Sequence, residues 1–360
     1  MSNISKDNSI NGYPSITMVI IDAFKKTIYQ GGCLGVILTI ALYPYYMNWL
    51  TLLKSYNLSD RLIFTLTMML SHTGTFIIVA GYYCYCDYYQ YNQQYKMNRK
   101  LSQQPSRALI LKTFIELSLN HFITSPVMAY LMFNVFTNNF AMKSINDPLP
   151  SYYVLFVDYI RAHIFNDIGF YFTHRLLHHP LFYATFHKQH HDYRGTISIA
   201  AECIHHHHHH HHHHYHHYHH YYHHFFIIII IIIIIIIIII IIITIIMIIV
   251  IDANPVESLL SNVIPSLGGV VLFGAHPLVV CIWLMMRLRE TYEAHSGYCF
   301  ENTLLDKLGL MHSHNAIHHD HHHSANQGNY GALYLDYMFG TMEAFCKTGG
   351  YKGYLEKKIK

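Results

Sequence analysis

The chain has 360 residues, of which 52% are hydrophobic and only 12% are charged. A soluble globular domain usually carries about 25% charged residues, so this composition disfavours such a domain and favours one that folds in a bilayer. The formal net charge of +3 is too small to predict a nucleic-acid partner. The seven cysteines are scattered along the chain, which predicts neither a disulfide framework nor a cysteine-based zinc site.

The N-terminal half contains several long apolar stretches. The first fifteen residues are polar and have no basic region that runs into an apolar core, so we expect a retained anchor rather than a cleaved signal peptide. A membrane span needs about 20 mostly apolar residues. Four stretches meet this requirement and predict four transmembrane helices, at 27–50, 62–86, 109–136 and 152–171. The fourth is the most polar because Asp158, Arg161 and Asp167 interrupt it.

The distribution of basic residues predicts the orientation. The loop after the second span carries Lys96, Arg99, Lys100 and Arg107, which places it in the cytoplasm by the positive-inside rule. The loop near 137–150 then lies outside, and the fourth span returns the chain to the cytoplasm. A later apolar stretch at 258–289 is broken by prolines and glycines, and we expect a hairpin or re-entrant helical pair there.

Two low-complexity tracts follow the fourth span. Residues 205–224 are histidines interleaved with tyrosines, and residues 227–251 are almost entirely isoleucine. Hydropathy alone would count the isoleucine tract as a further span, which would put later histidines across the membrane from earlier ones. We therefore interpret 205–251 as a repeat-derived insertion and not as a crossing.

Three histidine boxes have the spacing of metal ligands. Residues three and four apart share one face of a helix, and imidazole suits iron, zinc and copper. The boxes contain His174, His178 and His179; His187, His190 and His191; and His319, His322 and His323. These are more ligands than one ion can use, so we predict two metal ions, with His295 and His318 as further candidate ligands. All the boxes fall on the cytoplasmic side of the predicted topology.

Residues 166–345 resemble the fatty acid hydroxylase superfamily (the sterol desaturase family), and within it the 4-methylsterol monooxygenase branch. The resemblance rests on FYFTHRLLHHPLFYATFHKQHH, RLRETYEAHSGY, HHDHHHSANQGNYG and LDYMFGT. It implies an endoplasmic reticulum membrane enzyme that binds two iron ions and uses dioxygen. It also implies electrons from NAD(P)H, delivered by a reductase and a cytochrome b5-type donor. The expected reaction is oxidation of the 4-methyl group of a sterol.

The resemblance also implies roles for individual residues. The box histidines would be ligands or near-ligands, with His295 and His318 as further candidates. Four other residues would hold imidazoles by hydrogen bonds, namely Asp320, Asn329, Tyr330 and Asp336. The chain departs from the family between boxes two and three, where Asn254 stands in place of a histidine and the insertion splits the motif. This departure raises the alternative of an inactive homologue.

These observations predict an all-α membrane protein with a membrane-spanning region at 1–150. This region is followed by a catalytic domain at 151–345, which the insertion interrupts, and by a basic cytoplasmic tail at 346–360. Lys357 and Lys358 near the C-terminus resemble a dilysine retrieval signal of the endoplasmic reticulum. No G-x-G-x-x-G string or fused cytochrome motif occurs, so electrons would come from a separate protein. Three alternative functions stay open: a fatty acid or sphingolipid hydroxylase, a sterol desaturase, and a metal transporter.

Overall fold

The computed structural model describes most of the chain outside the low-complexity tracts. The described residues are 12–97, 104–140, 142–188, 190–202, 263–301, 303–308, 310–311 and 313–359. The predicted insertion at 205–251 and Asn254 lie outside this range. The described residues are mainly helical and form no strand, which confirms the predicted all-α class.

The helices fall into a long N-terminal set and a shorter C-terminal set. The first set is α1 Ile16–Phe24, α2 Leu34–Ser55, α3 Asp60–Thr75, α4 Gly81–Tyr88, α5 Arg107–Leu119, α6 Ser125–Asn139 and α7 Tyr152–Leu177. The second set is α8 Pro180–Phe182, α9 Ile264–Leu272, α10 Pro277–His295, α11 Leu304–Lys307, α12 Ser313–Ala325, α13 Leu333–Met338, α14 Glu343–Lys347 and α15 Gly350–Ile359. The pair α9 and α10 occupies most of the predicted hairpin.

Three π-helical segments join neighbouring helices of the first set into continuous rods. These segments are Lys25–Cys33, Phe76–Ala80 and Asn120–Thr124. With them, the N-terminal half forms four rods, at 16–55, 60–88, 107–139 and 152–177, and each contains one predicted span. Among the described residues, Ile16–Ser55 and Asp60–Tyr88 are long and apolar enough to cross a membrane by length and composition. That all four rods cross the membrane stays a prediction.

A serine begins each of the four rods. The side chains of Ser15, Ser59, Ser106 and Ser151 each accept a hydrogen bond from the backbone N–H three residues ahead. Such an N-cap satisfies one of the free amides at a helix start and is worth about 1 kcal/mol. The polar residue before each apolar stretch therefore explains where each rod begins.

The first rod extends well beyond the predicted span at 27–50. Its 40 residues correspond to about 60 Å at a rise of about 1.5 Å per residue, twice the roughly 30 Å of a hydrocarbon core. Part of the excess contacts the C-terminal set: Lys26 Nζ donates to Asn315 Oδ1 at 2.7 Å, at the start of α12. Val19 also packs in one cluster with Ile317 and Phe345. The N-terminal region thus contributes to the body that carries the third box.

The main core lies where α7 and α10 pack against α2, α3 and α9. Small residues bring the backbones close together: a Cβ on Gly35 would lie 2.6 Å from the Tyr159 ring, and one on Gly269 would lie 2.8 Å from Ala162 Cα. Tyr159 is fully buried, and its hydroxyl lies 2.6 Å from Thr39 Oγ1. This packing fixes α7, whose C-terminal end carries the first histidine box.

The residues predicted as a basic tail, 346–360, include the end of α14 and all of α15. Tyr351 is buried, and its hydroxyl lies 3.4 Å from His318 Nδ1. Tyr354 donates a hydrogen bond to Asp320 Oδ2 at 2.5 Å. Residues of this segment up to Tyr354 therefore contact α12.

Candidate metal centre

The first box lies at the C-terminal end of α7. His174 is in its last turn and His178 is its C-cap, so the two imidazoles lie one turn apart on the same face. The chain then turns at His179, which is exposed, and whose Nδ1 accepts the N–H of Leu181 at 3.3 Å to begin α8. Neighbouring histidines in one box thus have different roles because the helix ends between them.

The second and third boxes lie on short, well-defined elements that face α7. A π-helical turn, Tyr183–His187, carries His187, and a 3-10 turn, His190–Asp192, carries the next two histidines. The third box lies on α12, where the i, i+3, i+4 spacing places His319, His322 and His323 on one side. His295 is the last residue of α10.

Nine of these imidazoles form two adjacent clusters. The ligand atoms within each cluster all lie within 4.8 Å of one another. The first cluster contains His174, His178, His187, His191 and His322, and the second contains His190, His295, His319 and His323. Rings of the two clusters are neighbours, with 4.7 Å between the centroids of His191 and His323. The first cluster draws on all three boxes, and the second draws on boxes two and three together with His295.

The Nε2 atoms converge at distances that suit a shared ion. In the first cluster His174 and His187 lie 3.1 Å apart, and in the second His295 and His319 lie 2.9 Å apart, measured between Nε2 atoms. Two imidazole nitrogens that bind one ion at about 2.0–2.1 Å lie roughly 2.8–3.4 Å apart, from octahedral to tetrahedral geometry. The donor sets therefore fit one metal ion per cluster.

Backbone carbonyls fix the tautomer of three ligands. Nδ1 of His174 donates to the Tyr330 carbonyl at 2.6 Å, Nδ1 of His322 to that of Gly328 at 2.6 Å, and Nδ1 of His295 to that of Thr291 at 2.8 Å. Because a carbonyl can only accept, each Nδ1 carries the proton and each neutral Nε2 offers its lone pair to the cluster. Such hydrogen bonds orient metal-binding imidazoles.

Burial keeps the clusters neutral. Removal from water lowers the pKa of His295 to about 4, partly offset by its bond to the Thr291 carbonyl. Burial, together with the neighbouring histidines, lowers the pKa of His190 and His319 well below the usual range. A metal ion requires the neutral imidazole as its ligand. Near neutral pH these side chains are thus already in the form that binds metal.

The loop after α12 supplies two of the three carbonyls. Asn326, directly after the helix, and Gly328 both have positive φ, which ends the helix and turns the chain back. A Cβ on Gly328 would collide with the Thr341 carbonyl, so the turn requires glycine. The sequence motif contained Gly328, but side-chain reasoning missed its role and that of Thr291, because both act through their backbone oxygens.

The Asp336 side chain binds the same loop. Its carboxylate accepts the N–H groups of Tyr330 at 2.9 Å and Gly331 at 3.0 Å, and the hydroxyl of Thr341 at 2.5 Å. Burial alone would raise the pKa of Asp336, but its hydrogen-bond donors, His318 first among them, lower it overall. The carboxylate therefore stays ionised and fixes the carbonyl that orients His174.

The other predicted residues lie around the clusters. His318 is in neither cluster, because its Nε2 lies 3.0 Å from Asp336 Oδ2. Asn329 donates to the His318 carbonyl at 3.0 Å, and Asp320 accepts from Thr196 at 3.2 Å. With His179 exposed, the structure brings nine of the eleven candidate ligands together.

A cavity of about 120 Å³ opens beside both clusters. Its lining includes His174, His190 and His319 with Phe170 and Ala294. A cavity of about 150 Å³ is enough to hold a benzene-sized molecule. The cavity beside the clusters is somewhat smaller, so it can accept the small end of a substrate, less than a whole ring, directly against the candidate metal ligands.

A family model described as fatty acid hydroxylase matches residues 244–341. This range contains His295 and the third box, whereas the first two boxes precede it. This part of the chain is similar to the fatty acid hydroxylase family. The resemblance predicted from the histidine boxes is thereby confirmed, and the structure shows that residues on both sides of the start of the matched range build one centre.

Relatives of this chain include methylsterol monooxygenases. Methylsterol monooxygenase 1 of Gallus gallus is 25% identical, and the match covers 84% of this chain and 83% of the relative. Methylsterol monooxygenase 2-2 of Arabidopsis thaliana is 24% identical, and the match covers 80% of this chain and 88% of the relative. These relatives are consistent with the predicted branch.

Other matches are partial. Fatty acid hydroxylase domain-containing protein 2 of Macaca fascicularis is 24% identical over 57% of this chain and 44% of the relative. The chain spans about half the length of some relatives that it matches, including 55% of one from Dictyostelium discoideum. No solved structure matches the chain.

Proposed function

We propose that this protein is a membrane-embedded di-iron oxygenase that oxidises a C–H bond of a lipid, namely the 4-methyl group of a sterol. The observation that carries the proposal is the convergence of nine imidazoles, seven of them buried, in two adjacent clusters. The fatty acid hydroxylase match and the methylsterol monooxygenase relatives support the reaction class and the substrate.

The surface of the four rods supports a position within the bilayer. Large apolar side chains are exposed on each of them, among them Ile37, Ile77, Ile78, Phe114, Ile115, Phe122, Ile123, Ile164 and Ile168. So many exposed large apolar side chains are unusual on a soluble monomer and indicate a contact with lipid or protein. We propose a multi-pass protein of the endoplasmic reticulum membrane whose metal centre faces the cytoplasm.

The expected chemistry follows from the substrate. A lipid methyl group has no acidic proton and no leaving group, so neither a general base nor a nucleophile can attack it. When bound, the two iron ions would supply oxidation by dioxygen: the C–H bond becomes C–OH, and two electrons and two protons reduce the second oxygen atom to water. We propose that the electrons come from NAD(P)H through a reductase and a separate cytochrome b5-type protein.

The residues of the chain would then hold and orient the reacting groups. The nine imidazoles hold the ions, and the carbonyls of Tyr330, Gly328 and Thr291 fix three of them. The cavity takes the end of the lipid that carries the methyl group and places it against His174, His190 and His319. Its small volume leaves little room for water beside a substrate that fills it.

A second candidate is a hydroxylase of fatty acids or sphingolipids. The partial match to fatty acid hydroxylase domain-containing protein 2 is the observation that favours it. Both candidates use the same centre and differ in the lipid that enters the cavity. Sterol profiling of a strain that lacks the gene separates them: we expect 4-methyl sterols to accumulate, and a normal profile with missing hydroxylated lipids would support the second candidate.

Iron analysis of matched histidine variants tests the centre itself. Purified protein should contain about two irons per chain, and His190→Ala, which removes a ligand from the second cluster, should lose iron and all activity. His179→Ala is the control, because this exposed histidine belongs to neither cluster. Intact protein that binds no iron would contradict the oxygenase and leave a transporter or an inactive homologue.

A further inference from the structure

Three side chains that the nine-histidine centre does not use meet at the junction of three elements. His72 lies on α3, His121 lies in the π-helical segment Asn120–Thr124, and Glu202 ends a 3-10 segment, Ser198–Glu202. Glu202 Oε2 lies 3.5 Å from His121 Nε2 and 3.8 Å from His72 Nε2. The two imidazole rings are 4.4 Å apart.

His121 points its free ring nitrogen into this junction. Its side chain is only 2% exposed, and its Nδ1 lies 3.3 Å from Thr73 Oγ1. Its Nε2 is buried and makes no hydrogen bond to any described residue. A buried polar atom without a partner costs about 1–3 kcal/mol, so the structure calls for a group that fills the space between it and Glu202.

The carboxylate of Glu202 is held in place but not neutralised by its hydrogen-bond donors. The Tyr292 hydroxyl donates to Oε1, and Asn120 Nδ2 donates to Oε2 at 3.1 Å. Both donors are uncharged. A buried carboxylate requires a positive partner, such as a metal ion or a protonated base, and the space between Oε2 and the two imidazoles is where that partner would lie.

We propose that His72, His121 and Glu202 form a third metal site, separate from the two clusters, that binds one divalent cation of the zinc class. Two imidazoles and one carboxylate are a donor set that zinc accepts at about 2.0–2.2 Å. Around a tetrahedral ion at these distances, N and O lie roughly 3.3–3.5 Å apart. The 3.5 Å from His121 fits this range, and the 3.8 Å from His72, the more exposed histidine, is a few tenths of an ångström longer. A small shift of the His72 side chain would close this gap.

The position of the site gives the ion a structural role. It joins α3, the 120–124 segment and the segment that ends at Glu202, and through Tyr292 it reaches α10 one turn before His295. Phe76 packs against both His121 and Tyr292, with ring centroids 4.3 Å and 5.9 Å apart. The ion would thus fix the packing around Tyr292, next to His295, without contacting the ligands of the second cluster.

Zinc binding by the full iron-loaded chain tests the proposal. Zinc is titrated in competition with a chelator into wild-type protein, Glu202→Gln and His72→Gln. The control is His276→Asn, which changes a buried histidine that caps α10 and belongs to no cluster. Zinc held by the histidine tract at 205–224 is common to all four proteins, so only differences between them count.

The wild type and the control should each bind one tight zinc that both variants lose, with affinity reduced at least about tenfold. The variants should keep their two irons, and zinc should raise the melting temperature of the wild type and the control only. Equal zinc binding in all four proteins would overturn the proposal. Loss of iron together with zinc in both variants would also overturn a separate site.

If Glu202→Gln does not fold, His72→Gln decides the question. The His72 side chain is 16% exposed, and its replacement leaves the hydrogen bonds of Tyr292 and Asn120 to Glu202 in place.

Discussion

At the scale of single residues, the metal centre depends on groups that do not touch the ions. Three ligands are held by backbone carbonyls, and one carboxylate, Asp336, fixes the loop that provides the carbonyl for His174. His178 and His179 show how local this control is: they are adjacent, yet one reaches the first cluster and the other caps the next helix.

Asp336→Asn should weaken metal binding without removing any ligand. The amide can no longer accept all the hydrogen bonds from Tyr330, Gly331, Thr341 and His318, so the carbonyl that orients His174 becomes less well fixed. Loss of such support typically lowers metal affinity about 10–100-fold. Chelator competition measures this change, with Glu343→Gln as the control because Glu343 is exposed and pairs with Lys347 at the surface. Unchanged affinity in Asp336→Asn would contradict this role.

At the scale of helices, the centre is positioned by close packing at glycine. α2 and α9 approach α7 where Gly35 faces Tyr159 and Gly269 faces Ala162. Because α7 carries His174 and His178 at its far end, this packing determines where the first box lies relative to α10 and α12. The π-helical segments in the rods shift the faces of the helices that they join.

Gly35→Ala should destabilise the protein, whereas Gly74→Ala should not. The new methyl group at position 35 would overlap the Tyr159 ring, and overpacking of this kind costs about 1–3 kcal/mol. Gly74 is also helical, but a Cβ there meets nothing within 4 Å, so the change gains up to about 1 kcal/mol of helix propensity. Melting temperatures in detergent should fall for the first variant and stay level or rise for the second. Equal melting temperatures would show that the close approach is not important.

At the scale of the whole molecule, one centre is built from residues distant in the sequence. His178 and His322 are 144 residues apart, yet their Nε2 atoms lie 3.2 Å apart. The N-terminal rod also contributes, since Lys26 bonds Asn315 at the start of α12. We propose that the cytoplasmic end of the membrane helices and the C-terminal segment form one body around the metal ions.

Glycosylation mapping should test the proposed topology. An N-x-S/T acceptor in a flexible spacer, inserted in the loop near 137–150, should be glycosylated because that loop faces the lumen in our proposal. The same acceptor fused after Lys360 should stay unmodified, because the C-terminus shares the cytoplasmic side with the boxes. A glycosylated C-terminus would show that the isoleucine tract, or another segment, adds a crossing.

Much of the fold and of the candidate metal centre could be predicted from the sequence. The histidine boxes identified eight of the nine side chains that the structure brings together, with His295 as a further candidate, and the strings around the boxes identified the family that the fatty acid hydroxylase match confirms. The apolar stretches located the four rods, and the structure added the serine N-caps at which they begin. These features are local, because helix periodicity and N-caps depend on residues a few positions apart.

The tertiary structure alone decided how the histidines divide. Spacing within a box cannot show that His191 joins the first cluster and His190 the second, or that His318 turns away to Asp336, because each depends on helices far apart in the chain. The carbonyls that orient the ligands carry no side-chain signature. The meeting of His72, His121 and Glu202 was equally hidden, since three isolated polar residues acquire a shared chemistry only when folding removes them from water together.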